Sequence, residues 1–106
     1  IATNNAFLNG RREIAQRFVR ATVKGLNFFK SDRNGTVKVM TKYMTLSADT
    51  AARVYDESVP SFVPDGTISD DFQDRVLDFE LKAIGTDKKI SRDRVFDFSL
   101  IKNINR

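Results

Sequence analysis

Arg17, Arg20 and Lys24 follow one another at steps of three and four. That spacing stacks three cations along one side of a helix, where they could meet phosphates or an acidic partner. Asp70, Asp71 and Asp74 are close enough in sequence to offer carboxylate oxygens to Ca²⁺ or Mg²⁺. Both groups have a simpler reading. A helix ordinarily carries its charge on the face opposite the core, and the acids Asp70, Asp71, Asp74, Asp78 and Glu80 dilute any nucleic-acid face. The three aspartates lack the spaced oxygens and closing Glu of a calcium loop. Negative charge in the first turn of a helix is favoured there by the free N–H groups. No metal and no nucleic-acid partner are therefore expected.

The chain has no Cys and no His. Disulfides, thiolate metal sites and Cys nucleophiles are excluded, together with the commonest general base and the Ser-His and Cys-His arrangements. An enzyme would have to work with carboxylates, Lys or Tyr, and each carboxylate has its explanation at a helix end or in a surface pair. No catalytic residue and no cofactor are assigned, and the expectation is a protein that is not an enzyme. The nine Phe could form a stacking surface, but Phe18, Phe29, Phe72 and Phe79 fall on expected core faces.

These residues must be positioned by one small unit. With 106 residues, 41% hydrophobic and 30% charged, the chain has the balance of a soluble protein and the length of one helical domain, 1–106. The net charge of +4 permits an anionic partner without requiring one. No run approaches the roughly 18 apolar residues of a membrane helix. The chain opens at Ile1 without Met and is expected to be a piece of a longer protein.

The pattern predicts an all-α fold of five to six helices. Ala15, Phe18, Val19, Thr22, Leu26 and Phe29 recur at helical spacing over 11–30, and Ile14, Ala21, Val23 and Phe28 add apolar character off that face, so this helix is expected to be covered on more than one side. Gly25 inside it points to close approach of another element. The turn formers Ser31 to Gly35 precede a second helix with Val37, Met40, Tyr43 and Met44. Ser47 is the N-cap of a third, which Pro60 ends. Pro64, Asp65 and Gly66 spell a type I turn, and Ser69 caps a helix with Phe72, Val76, Phe79 and Ala83 on one face. Asp71 with Arg75 and Asp78 with Lys82 are four-residue pairs on its other side. Gly85 is the C′ residue. Two short helical turns, broken near Asp97 to Ser99, end the chain. Ile1 to Thr3 suits only the tail of a strand.

The order of these pieces carries a resemblance. Arg17-Phe18-Val19-Arg20-Ala21 with Lys24-Gly25-Leu26, then Lys42-Tyr43, Ala52-Arg53-Val54-Tyr55-Asp56, Phe62 with Pro64-Asp65-Gly66, and Val95-Phe96-Asp97-Phe98-Ser99-Leu100 together resemble the C-terminal helical portion of the solute-binding proteins of ABC transporters, in the nitrate/sulfonate/bicarbonate and thiamine-precursor class. The likeness runs from about residue 6 to about residue 100. Where that family opens helices with Asn-Pro-Glu, this chain has Asn9-Gly10-Arg11 and Asp32-Arg33-Asn34-Gly35.

The resemblance implies a two-lobed α/β receptor, periplasmic or lipid-anchored, that closes on a small solute and delivers it to an ABC permease. This chain would be its helical C-terminal segment, contributing scaffold and hinge packing. The substrate-binding residues stay unassigned, although Thr3, Asn4 and Asn5 would lie nearest the hinge. A piece exposing the surface it buries against the lobes would favour a homodimer. The alternative is a stand-alone basic helical module that binds nucleic acid or an acidic protein partner through Arg17, Arg20 and Lys24.

Overall fold

A computed structural model describes residues 1–63 and 65–104. It is all-helical, with six α-helices and no strand among the described residues. The helices are α1 (Asn5–Gly10), α2 (Arg12–Ser31), α3 (Arg33–Met44), α4 (Ala48–Ser58), α5 (Asp70–Ala83) and α6 (Ser99–Ile104), with 3₁₀ turns at Val59–Ser61 and Arg92–Arg94. By backbone proximity the chain divides into two compact units, Ile1–Phe62 and Val63–Arg106.

The first unit contains α1 to α4. The turn formers after α2 make a cap rather than a loop, because Asp32 closes α2 and its carboxylate accepts from the Gly35 N–H at 2.8 Å. The second helix therefore starts at Arg33, four residues before the apolar spacing begins. Gly35 is required at that cap, since a Cβ there would meet the Asp32 carboxylate and the Phe28 ring. Thr45, in the left-handed region at φ 56°, ends α3. The Ser47 hydroxyl accepts from the Thr50 N–H and starts α4 as expected. Ile1 to Thr3 form no strand, and Asn4 caps α1 by accepting from the Phe7 N–H.

Met40, Ala51 and Tyr55 are the buried centre of this unit, with Phe29, Val37, Leu46, Val54 and Val59 packed around them. The Phe29 ring lies 5.0 Å from Tyr55 and 4.6 Å from Phe62, centre to centre. The last carbonyls of a helix lack intrahelical partners; the Tyr55 hydroxyl supplies one by donating to the Phe29 carbonyl at 2.8 Å. These contacts set which side of α2 faces inward. Ala15 is buried and Val19, Val23, Leu26 and Phe29 are half-buried, while Phe18 and Thr22, expected inside, are exposed. Cover on more than one side is not found either: Ile14, Ala21 and Phe28 are exposed.

The second unit starts from Asp65, whose carboxylate accepts from both the N–H and the hydroxyl of Thr67, with Gly66 at φ 74°. The type I turn reading rests on Pro64, which lies outside the described residues. Ser69 caps α5 by accepting from the Phe72 N–H. At the other end Gly85, φ 69°, donates to the Lys82 carbonyl and Thr86 to that of Leu81, the paired bonds of a Schellman motif. The buried face of α5 is not the one expected. Gln73 and Leu77 are buried, whereas Phe72 and Phe79 are exposed, Phe79 by 71%. Asp70, Asp74, Leu77 and Leu81 share one stripe, and at its exposed acidic end Arg92 donates to Asp70 and Asp74 at 2.8 Å each. Gln73 adds a bond from its amide to the Ile68 carbonyl. The segment ahead of α6 breaks at Asp97, which accepts from the Ser99 N–H.

Candidate interaction surface

The surface that could act on another molecule lies on α2. Its inward stripe runs through Ala15, Val19, Val23, Leu26 and Phe29. Roughly a third of the helix circumference away, a second apolar line runs through Ile14, Phe18, Ala21, Gly25 and Phe28 at steps of four, three, four and three. This line faces solvent: Ile14, Phe18 and Phe28 are 48%, 58% and 44% exposed. A Cβ placed on Gly25 would meet nothing within 4 Å. The close neighbour that Gly25 was expected to mark is therefore not found around it.

Arg17 and Lys24 border this line on one side, with Arg20 further round, and all three are exposed. The stripe of cations predicted by sequence is thus assembled, and it adjoins an apolar seam. None of the three has an ion pair among the described residues, whose bridges join Arg33 to Asp56, Arg75 to Asp71, and Arg92 to Asp70 and Asp74. On its other side the seam runs into the half-buried Phe29 and the buried Ala15.

Asp70, Asp71 and Asp74 of α5 each have an arginine partner. Asp71 meets Arg75 at 2.9 Å, and Asp70 and Asp74 are spanned by Arg92. No group of three or more metal-ligating side chains occurs among the described residues. A hollow on the second unit is lined by Asp70, Gln73, Arg92, Phe96, Phe98 and Lys102, but its arginine is already occupied by the two carboxylates. Arg92 and the Arg33–Asp56 pair are sites that sequence reasoning missed. Their partners lie 18 to 23 residues apart, beyond any local spacing rule. The two Arg33 nitrogens reach Asp56 at 2.8 and 2.7 Å. The hydrogen bond from Arg33 holds the Asp56 carboxyl below its ordinary range, and the same bond raises Arg33.

The chain matches no protein-family model, no curated protein and no solved structure. No described helix is long and apolar enough to cross a membrane. Chemically, the α2 seam can do what an apolar line with a cationic border does elsewhere: cover another apolar surface and select one that carries negative charge beside it.

Proposed function

We propose that this chain is the helical C-terminal segment of the extracytoplasmic solute-binding component of an ABC transporter, a non-enzymatic part that supplies scaffold and hinge packing. The solute would be a small one such as nitrate, an alkanesulfonate, bicarbonate or a thiamine precursor, with an ABC permease as the membrane partner and a periplasmic or lipid-anchored location. The observation that carries the reading is the ordered series of sequence pieces between residues 17 and 100. Their places in the fold are compatible with it: the first lies on α2, Lys42-Tyr43 at the end of α3, Ala52 to Asp56 within α4, and the Val95 to Leu100 piece runs into α6. A helix that packs across the lobes of a larger receptor would also bear an apolar face with no cover of its own, as α2 does.

The test is thermal stabilisation by that panel of solutes, measured on the natural gene product extended upstream of Ile1 and on the 106-residue chain. A rise in Tm confined to the extended protein is expected. A solute response from the 106-residue chain alone would overturn the reading, as would a start codon immediately before Ile1. A second reading, a basic helical module for nucleic acid or an acidic protein, is favoured by the unpaired Arg17, Arg20 and Lys24. Its binding to DNA or RNA would weaken steeply with added salt.

A further inference from the structure

We infer that the Ile14–Phe18–Ala21–Gly25–Phe28 seam of α2 is a docking surface for one amphipathic helix that carries acidic residues along the edge facing Arg17 and Lys24. The inference rests on the reading above only in taking the uncovered face of α2 as one that is covered in the working protein.

The shape of the seam selects a helix. Its steps of four and three are those of the two core positions of a heptad, the narrow stripe along which helices pair. Ile14, Phe18 and Phe28 are its projecting members, while Ala21 and Gly25 between them leave a shallow gap in which a partner's side chain can seat. The open space at Gly25 is part of that gap. A membrane surface asks for a wider apolar face. On α2 the seam gives way within one position to Phe29 and Ala15, which belong to the first unit's own packing.

The charge selects the partner. In heptad terms Arg17 and Lys24 occupy the same flanking position in successive repeats, the place from which interhelical ion pairs choose partner and orientation. Both are exposed and neither is paired within the described residues. Glu13 is the one acid on that side of the helix, against three cations. A second copy of this chain would set Arg17 beside Lys24 in the antiparallel arrangement and leave both unmatched in the parallel one. Like charges side by side oppose that pairing, whereas glutamates or aspartates at the same places would complete it. Nucleic acid would meet the cations but would press a polar backbone onto Phe18 and Phe28.

The experiment uses the 106-residue chain and two synthetic three-heptad peptides with leucine at both core positions, one flanked by glutamate and the other by lysine. The glutamate peptide is expected to bind, with affinity falling as salt is raised, and the lysine peptide to fail. Exchanging Arg17→Glu and Lys24→Glu together should reverse the preference, changing the ratio of the two Kd values by roughly tenfold or more. Phe18→Asp should abolish binding of both peptides; its side chain faces solvent, and far-UV circular dichroism checks that the helices remain. Equal binding of the two peptides would overturn the inference. So would a preference untouched by the double charge exchange, a Phe18-dependent dimer that takes up neither peptide, or Phe18-dependent binding to phosphatidylserine vesicles with no peptide binding. None of these outcomes depends on a solute, so failure here and failure of the receptor reading are told apart.

Discussion

The two units are held together by different means. In the first, a buried tyrosine does two jobs: its ring packs with Met40, Ala51 and Phe29, and its hydroxyl satisfies a carbonyl that the end of α2 leaves without a partner. In the second, the buried apolar side chains are Leu77 and Leu100, Gln73 is buried on α5, and Arg92 reaches across to two exposed aspartates. Apolar burial at about 25 cal/mol per Å² outweighs ion pairs between solvated groups, which contribute about 0–1 kcal/mol. The first unit should therefore resist opening more strongly, and the second should depend more on salt.

Truncating the centre of each unit tests this directly. Tyr55→Ala removes a large buried side chain that is 5% exposed and should cost the first unit about 3–5 kcal/mol. Leu77→Ala should fall near the lower end of the about 2–5 kcal/mol typical of such truncations, because leucine is the smaller side chain. Amide hydrogen exchange on α2–α4 and on α5 reads the two losses separately, and a larger loss in the second unit would break the comparison. Tyr55→Phe keeps the ring and should cost about 1–2 kcal/mol, since the Phe29 carbonyl then retains only the 3.5 Å approach of Thr36.

Arg92→Ala should cost at most about 1 kcal/mol, concentrated in α5 protection and diminishing as salt is raised. The Arg33–Asp56 pair supplies a smaller, pH-dependent effect. Asp56 titrates below its unfolded value because Arg33 donates to it, so its contribution is present above the ordinary carboxylate pKa and disappears as pH falls through the lowered one. The stability gap between the wild type and Asp56→Asn should close in that acid range, as followed by chemical denaturation. Arg33 is raised from an already high value, so its loss would come only at extreme alkalinity. Phe79→Ser should change stability least, within about 0.5 kcal/mol, because that ring faces solvent; a large loss would restore the aromatic face of α5 to a core.

What could be read along the chain was local. Ser47 and Ser69 cap their helices, Gly85 closes α5, and Asp71 pairs with Arg75 four residues on. Each uses groups within a few residues of one another, where covalent geometry brings them together whatever the rest of the chain does. The all-helical character followed from the same period-3.6 signal. The Arg17, Arg20 and Lys24 stripe was likewise legible, being one face of one helix.

The inward side of each helix was not legible in this way. On α2 two apolar lines compete, and periodicity alone cannot rank them. Phe29 wins because its ring meets Tyr55 and Phe62 and its carbonyl meets Tyr55 from 26 residues away. On α5 the aromatic line through Phe72 and Phe79 looks more like a core than the line through Asp70, Asp74 and Leu77. Leu77 is nevertheless the buried one, and Arg92, from a distant turn, pairs with the two exposed acids of its line. Sequence by itself thus determined that the chain is helical, which serines cap α4 and α5, and which residues share a face. Tertiary structure decided which face turns inward, because that choice rests on partners far apart in sequence, and with it which apolar seam of α2 is left outside.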